Sequence, residues 1–224
     1  MKGTKGFVSL LLLCAVLSLL PGPAFARGDF VFTDPVFEEK VYYALQRNGV
    51  IVNEAMCKRV TELNLSNLTL PAEQWDGLAD SEKIHSLEDL RYFPNLTSLD
   101  FGLNAVEDIT PLAQLKQLTY LEAPMNRISD LTPIAGLTSL EHAVFWDNRI
   151  EDLGPVAGLT KLKVFSVSSN RISDIGPLAA LTGLTTLELS NNPVTDFSPV
   201  AAFYDGLEVK DFSLETADGG TQAE

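Results

Sequence analysis

The side chains best suited to chemistry in this chain are aspartates that recur every 22 residues. The set comprises Asp108, Asp130, Asp152, Asp174 and Asp196. A column of carboxylates suggests calcium, but one carboxylate per turn supplies too few oxygens for a cation that takes about six to eight of them. The alternative is that each short side chain accepts hydrogen bonds from backbone amides of its own turn. We favour this structural role and predict no metal site.

Catalysis would need an activated nucleophile or a positioned acid or base, and the chain offers neither in a recognisable arrangement. His85 and His142 are the only two histidines. Neither has a Ser, Cys or carboxylate at the spacing of a nucleophile elbow or a zinc motif. Cys57 follows Met56 in an apolar turn and is expected to be a small buried hydrophobe. The sequence therefore predicts a protein that is not an enzyme and uses no cofactor.

The aspartates belong to an internal repeat that fills residues 96–205. Its five blocks follow one another without a gap and begin at Leu96, Leu118, Leu140, Leu162 and Leu184. Numbered from that leucine, positions 1, 4 and 6 are apolar and alternate with mostly polar residues, which predicts a strand with one buried face. Position 9 is always Asn, which predicts an inward amide that serves the backbone of adjacent turns. Position 16 is always Pro, which favours a short turn over a returning strand.

A fixed period of this length with leucines at these positions is the signature of a leucine-rich repeat. The predicted fold class is an α/β solenoid, a leucine-rich repeat horseshoe with a parallel concave sheet, short 3₁₀ or loop segments on the convex side and an N-terminal helical cap. About six repeats occupy residues 60–205, and the first contains an insertion near residues 69–83 with Trp75 at its centre. Residues 206–212 form a terminal edge strand, and residues 213–224 an acidic disordered tail.

Two segments precede the repeats. Residues 1–26 combine two early lysines with an apolar run and a small-x-small site, which predicts a secretory signal peptide. A lipid anchor at Cys14 is less favoured, because Leu13 before it is the wrong size for that chemistry. Residues 27–59 predict the helical cap, with Asp34 as the N-cap of its first helix. We therefore expect a secreted or extracellular protein, with cell-surface association as an option and no stable membrane insertion after cleavage.

The chain is acidic, with a formal net charge of −14 that becomes about −16 once the two lysines of the signal peptide are removed. An acidic surface argues against binding to nucleic acid and to anionic lipid. The expected partner is therefore a protein or a peptide.

The block N-x-I-x-D-[IL]-x-P-[LIV]-A-x-L resembles the repeats of bacterial internalins. The cap with DP near its start, and the segments VTELNLSN and YFPNLTSLD, are similar to that family as well, so that the resemblance extends from about Phe32 to Phe203. It implies a concave sheet that binds other proteins, which for some members are host-cell receptors. The expected function is a secreted or surface-associated protein-binding module, with bacterial adhesion or host interaction as its candidate setting.

Apolar and aromatic residues at outward positions of the concave sheet are confined to neighbouring blocks in the middle. The candidate partner-binding residues are Leu103, Tyr120, Pro124, Met125, His142, Val144, Trp146 and Val164. Tyr120, His142 and Val164 share position 3, so they should form one column with neighbours about 4.8 Å apart. Contiguous exposed apolar surface marks an interaction site. The alternative is that the curvature of the sheet lets these side chains cover one another.

The size of the sheet limits what it can bind. Its projected area of about 480 Å² is below the roughly 800 Å² per partner of an ordinary stable interface. The area of the sheet alone therefore predicts that it binds a short segment of a partner, or a partner of modest affinity. The alternative function is a structural or self-associating extracellular component that pairs through the C-terminal repeat edge, although we expect a monomer.

Overall fold

The computed structural model of the protein describes residues 31–45 and 52–214. Its contacts divide the chain into two compact units, Met1–Val31 and Phe32–Glu224, and every helix and strand described below belongs to the second. The predicted signal peptide and residues 215–224 of the predicted tail lie outside the described residues. Those assignments stay predictions.

Two helices precede the sheet, α1 at Pro35–Leu45 and α2 at Glu54–Cys57. Asp34 caps α1, and its Oδ1 accepts hydrogen bonds from two backbone amides of the first turn at 2.9 and 3.0 Å. Asn53 caps α2 in the same way at 2.9 Å. Burial raises the pKa of the Cys57 thiol to about 11, which fits a buried hydrophobe. In the part of the chain that the structure describes, both helices are too short to cross a bilayer.

Seven short strands form one parallel sheet in chain order. They are β1 Glu62–Asn64, β2 Ser98–Asp100, β3 Tyr120–Glu122, β4 His142–Val144, β5 Val164–Ser166, β6 Thr186–Glu188 and β7 Val209–Lys210. Strands β2 to β6 cover positions 3 to 5 of their blocks and pair in register. A 3₁₀ segment that contains the repeated proline in its first turn follows each of these strands on the opposite side. The predicted fold class, including the N-terminal helix, is confirmed.

The interior fills with large and small side chains in alternation. Ala143 on β4 lies in register between Leu121 and Phe165 of the adjacent strands. All three side chains are fully buried. Close packing requires this pairing of sizes, because a void next to Ala143 would lose contacts and a second ring would not fit.

The repeated asparagines connect each block to the one before it. Asn126 Oδ1 accepts a hydrogen bond from the backbone amide of Val106, which lies in the preceding block, at 3.1 Å. Its Nδ2 donates to the carbonyls of Phe101 in that block and Ala123 in its own, at 3.1 and 3.3 Å. The same pattern recurs at Asn148, Asn170 and Asn192. The predicted role of the amide is therefore confirmed.

The repeated aspartates serve the turns of their own blocks. In each block the carboxylate accepts a hydrogen bond from the backbone amide two residues further on, at 2.7 or 2.8 Å. The hydroxyl of Thr110 also lowers the pKa of Asp108, and Thr132 does the same for Asp130. These carboxylates thus have the structural role that the sequence predicts.

Two carboxylates join the cap to the irregular first repeat. Asp34 Oδ2 accepts hydrogen bonds from the backbone amides of His85 and Ser86 at 2.9 and 3.0 Å. Asp89 Oδ2 accepts in return from the amides of Thr33 and Asp34 at 2.7 and 3.0 Å. Because Asp34 also caps α1, its single side chain links the start of the helix to the solenoid.

The middle of α1 contributes a cation to the contact with the first repeat. Lys40 Nζ donates to Asn67 Oδ1 at 2.5 Å. Burial lowers the pKa of Lys40 to about 8, against the opposing attraction of Glu39 and Asp100. Lys40 thus lies in a site that penalises its charge.

The C-terminal end of the sheet is closed by the short strand β7 and its neighbours. Lys210 pairs with Leu187 in the register of β6 and donates to the carbonyls of Tyr204 and Leu207 at 3.2 and 3.1 Å. Phe212 stacks on Phe197 with ring centroids 5.0 Å apart. Leu207 is buried, whereas the side chain of Val209 is 47% exposed.

The insertion in the first repeat is ordered by contacts of its own. Trp75 is half-buried, and its indole N–H donates to the carbonyl of Leu70 at 2.9 Å. Asp80 reaches the second block, where its carboxylate forms an ion pair with Arg127 at 2.6 Å. The N–H of Trp75 is therefore used within the inserted segment.

Candidate protein-binding face

The middle of the concave sheet carries a column of three side chains that the register aligns. Tyr120, His142 and Val164 are paired neighbours on β3, β4 and β5. The rings of Tyr120 and His142 stack with centroids 4.2 Å apart and an interplanar angle of 11°. All three side chains are half-buried. Each side chain keeps part of its surface exposed to solvent. The two stacked rings cover each other in part, which agrees in part with the alternative that these side chains cover one another.

A carboxylate fixes this stacked pair from one side. Glu122 Oε1 accepts a hydrogen bond from the Tyr120 hydroxyl and lies 3.2 Å from His142 Nε2. The hydrogen bond with His142 lowers the pKa of Glu122, and the bond from Tyr120 acts in the same direction. Partial burial, together with the bond to Glu122, raises the pKa of Tyr120. The column therefore lies beside a fixed carboxylate that prefers its charged form.

Three further predicted residues extend the column. Val144 follows His142 on β4, at the register position between Glu122 and Ser166. Trp146 lies two residues beyond Val144, and Met125 lies at the end of the preceding block's strand segment. All are half-buried. We call the six half-exposed predicted residues the central patch, namely Tyr120, Met125, His142, Val144, Trp146 and Val164.

Two predicted positions are wrong, because Leu103 and Pro124 are buried. The prediction extended strand alternation to positions 7 and 8, but the strands end at position 5. Pro124 packs against the strand segment of the previous block, where a Cβ on Gly102 would come within 3.1 Å of its Cγ. Leu103 is only 5% exposed. Neither side chain is available to a partner in this conformation.

Position 8 has a backbone feature that the sequence analysis missed. Its residues all have a positive φ, between 53° and 57°, and they are Leu103, Met125, Asp147, Ser169 and Asn191. This left-handed conformation costs a residue with a Cβ about 1–2 kcal/mol, although Asn and Asp tolerate it better. The polar turn residues in three of the five blocks were the signal that could have revealed it. This left-handed position buries Leu103 but leaves Met125 half-buried, so the exposure of its side chain differs from block to block.

An acidic residue next to the central patch lies outside the predicted set, because a polar side chain is the default at an outward position. Asp100 on β2 is in register with Glu122 on β3. Its carboxylate accepts hydrogen bonds from Asn64 Nδ2 at 3.0 Å and from the Gly102 amide at 2.9 Å. Burial raises the pKa of Asp100, and the charge of Glu122 adds to that rise. Two adjacent carboxylates thus border the patch on its N-terminal side.

Ser166 borders the patch on the other side. Its side chain is 3% exposed, and among the described residues its hydroxyl has no hydrogen-bond partner. An unpaired buried hydroxyl of this kind costs folding free energy.

Repeat length, parallel register, the asparagine ladder and the convex 3₁₀ turns together define the class: the chain is a leucine-rich repeat protein. A family model described as "Leucine Rich repeats (2 copies)" matches residues 160–202. Comparison with curated proteins gives no match.

Within that class the chain is similar to solved structures of bacterial internalins. It is similar to an internalin (inlF) of Listeria monocytogenes at 24% identity and a TM-score of 0.61, over 80% of this chain and 56% of that one. An internalin C2 (inlC2) of the same organism gives 25% identity and a TM-score of 0.55, over 82% of this chain and 95% of that one. The chain thus spans just over half the length of the first of these structures.

The same fold occurs in a plant protein. The ectodomain of the Arabidopsis thaliana receptor kinase GASSHO1/SCHENGEN3, solved in complex with CASPARIAN STRIP INTEGRITY FACTOR 2, is 19% identical with a TM-score of 0.50. The match covers 56% of this chain and 17% of that one. It shows the solenoid fold alone.

Proposed function

We propose that this protein is a secreted or surface-associated module that binds another protein through the central patch of its concave face, without catalysis. The observation that carries the proposal is that Tyr120, His142, Val144 and Val164 are contiguous on three adjacent strands, with Trp146 two residues beyond Val144. Polar residues dominate the corresponding outward positions of β1, β2 and β6. A half-exposed aromatic and aliphatic surface costs solubility, so its confinement to the middle of the sheet favours an interface.

The composition of the patch supports a protein partner. Tyr and Trp are enriched among residues that dominate binding energy, because they bury large rigid surfaces and keep a polar group for a hydrogen bond. The stacking of Tyr120 on His142, and the bond from Tyr120 to Glu122, hold these rings in place before a partner arrives. A preorganised surface loses less side-chain entropy on binding.

The proposed setting is outside the cytoplasm, in bacterial adhesion or host interaction. This part of the proposal is supported by the signal-peptide pattern of residues 1–26 and by the likeness to internalins. The acidic charge supports a protein or peptide partner over nucleic acid. The monomer is the proposed working form, since Lys210 and Asp211 make β7 a poor template for edge pairing.

The test is photo-crosslinking at two positions of the purified native chain. A photoreactive amino acid would replace Val164 in the central patch, or Gln114 on a convex 3₁₀ segment, and each protein would be incubated with a surface or secreted extract. We expect a discrete adduct from position 164 and none from position 114. Adducts of equal yield from both positions would contradict a concave interface.

A matched pair of variants makes the test quantitative. Tyr120→Ser with Trp146→Ser removes two aromatic groups from the patch, whereas Tyr43→Ser removes one that is 77% exposed on α1. We expect the patch variant to lose at least about tenfold in affinity for the crosslinked partner, since hot-spot truncations cost 2 kcal/mol or more. The Tyr43 variant should bind like the native chain. Equal binding by all three proteins would refute the proposal.

A further inference from the structure

The charges around the central patch narrow the kind of partner that fits it. At outward positions 2, 3 and 5 of the seven described strands the acidic residues are Glu62, Asp100, Glu122, Glu141, Glu188, Glu208 and Asp211. Lys163 is the only lysine or arginine at those positions of the described strands. A partner that approaches this face therefore meets negative potential on both sides of an apolar centre.

The Asp100–Glu122 pair is the strongest of these features because both carboxylates are held in place. They lie on adjacent strands in register, which brings their backbones to about 4.8 Å. Asn64, Gly102 and the Tyr120 hydroxyl donate to them. Among the described residues, no Lys or Arg side chain lies within ion-pair distance of either carboxylate, although Lys40 attracts Asp100 from beyond that distance. Two like charges on adjacent strands repel each other, and a cation placed between them would remove that repulsion.

The apolar surface lies directly beside this pair. Glu122 contacts Tyr120 and His142, and Val144 follows in the next strand at the register position of Glu122. An arginine that reaches the carboxylates would lie next to the stacked rings, where a guanidinium gains from both ion pairing and stacking. A neighbouring aliphatic or aromatic side chain would then cover Val144, Val164 and Trp146.

We propose that the concave face recognises a short extended segment of a partner protein in which a Lys or Arg side chain stands beside a bulky apolar residue. The cation binds between Asp100 and Glu122, and the apolar residue packs on Val144, Val164 and Trp146. This inference rests on the proposed function and names its partner chemistry. The small area of the sheet, about 480 Å², fits a segment better than a large rigid surface.

The test uses three synthetic libraries of ten-residue peptides with the same random apolar residues at alternate positions. The remaining positions carry a mixture of Lys and Arg in the first library, Gln in the second and Glu in the third. The fraction of each library retained by the immobilised full chain is measured at low and at moderate salt. We expect the basic library to be retained about tenfold more than the Gln library, with the Glu library at background.

Variants that neutralise individual carboxylates test where the basic peptides bind. Asp100→Asn with Glu122→Gln removes two charges at the proposed site, and Glu122→Gln alone guards against misfolding of the double variant. The control, Glu107→Gln with Glu151→Gln, also removes two negative charges. These two side chains lie outside the sheet and are 65% and 69% exposed. We expect the first pair to abolish the preference for basic peptides and the control pair to change it less than about twofold.

The outcomes separate this inference from the proposed function. Equal loss in both double variants would mean attraction by net charge, and would overturn the inference. Retention of all three libraries, lost only in Tyr120→Ser with Trp146→Ser, would overturn the cation site and leave the concave interface standing. Retention of no library, or retention unaffected by any variant, would overturn both.

Discussion

The two ends of the repeat stack are closed by different means. At the N-terminal end, Asp34 and Asp89 exchange hydrogen bonds between the cap and the first repeat, and both are less than 9% exposed. At the C-terminal end, Asp211 receives three donors but is itself exposed, while Phe212 is only half-buried. A carboxylate therefore serves at both ends, with water excluded at one and present at the other.

This difference indicates which end of the solenoid contributes more to the free energy of unfolding. A buried acceptor that loses its side chain leaves several amides unpaired without water to replace it, whereas an exposed one is replaced by solvent. The first layer of the repeats should therefore depend strongly on its cap, and the last layer weakly on its closing strand. Four substitutions would test this contrast.

The largest effect is expected for Asp34→Ala. The change removes the N-cap of α1 and leaves the amides of His85 and Ser86 without their acceptor. We expect a loss of about 3 kcal/mol in the free energy of unfolding, measured by urea denaturation. Asp130→Ala is the control, since it removes one exposed turn bond of the same kind, and should cost about 1 kcal/mol or less. Equal losses in both variants would erase the contrast between buried and exposed acceptors.

Lys40 should make the stability of the capped end depend on pH in the alkaline range. The pKa of Lys40 is about 8 in the folded chain against 10.5 when exposed, so between these values unfolding takes up a proton and stability rises with pH. We expect a gain of about 2 kcal/mol across this window. In Lys40→Met this rise should vanish, and the difference between the two curves isolates Lys40 from other titrating groups. A difference that does not change between pH 8 and 10.5 would contradict the assignment.

A smaller effect is expected for Asp211→Asn at the C-terminal end. Partial burial raises the pKa of Asp211, but hydrogen bonds from Ser190, Leu189 and Ser168 outweigh it, and the net pKa is lowered. The charged form thus contributes stability above the unfolded pKa, which is lost as the pH falls. We expect the variant to lose about 1 kcal/mol at neutral pH, and the loss to shrink below about pH 4. A loss as large as that of Asp34→Ala would remove the distinction between the ends.

The smallest effect is expected for Val209→Thr on β7. The side chain is 47% exposed, so the substitution should change the free energy of unfolding by less than about 0.5 kcal/mol. Light scattering over a range of concentrations tests the alternative function with the same pair of proteins. A native chain that associates while the Val209→Thr variant stays monomeric would favour pairing through the C-terminal edge.

The fold was predictable from sequence because its determinants repeat. Five copies of each pattern average out local ambiguity, and the roles of Asn126 and Asp108 follow from their side chains alone. The C-terminal closure was harder to foresee. There the pattern occurs once, and Lys210 at a core register position contradicts the hydrophobic rule that identified the other strands.

The candidate face was predictable only in part. The column of Tyr120, His142 and Val164 follows from strand register, and register follows from the period. Leu103 and Pro124 are buried, whereas Met125 and Trp146 are half-buried at the same two block positions, so a rule that treats every block alike could not separate them. The Asp100–Glu122 pair was overlooked because each residue alone is ordinary at its position, and only their adjacency gives them meaning.

The asparagine ladder has a consequence for the size of the face. The inward amide of each block satisfies a backbone donor of the block before it, so every internal junction is chemically the same. Insertion or excision of one whole block of 22 residues would recreate a junction that already exists and leave no buried donor unpaired. The width of the concave surface can therefore change in steps of one strand, about 4.8 Å each. Evolution can therefore match the width of the concave surface to a longer or shorter ligand by changing the number of repeats.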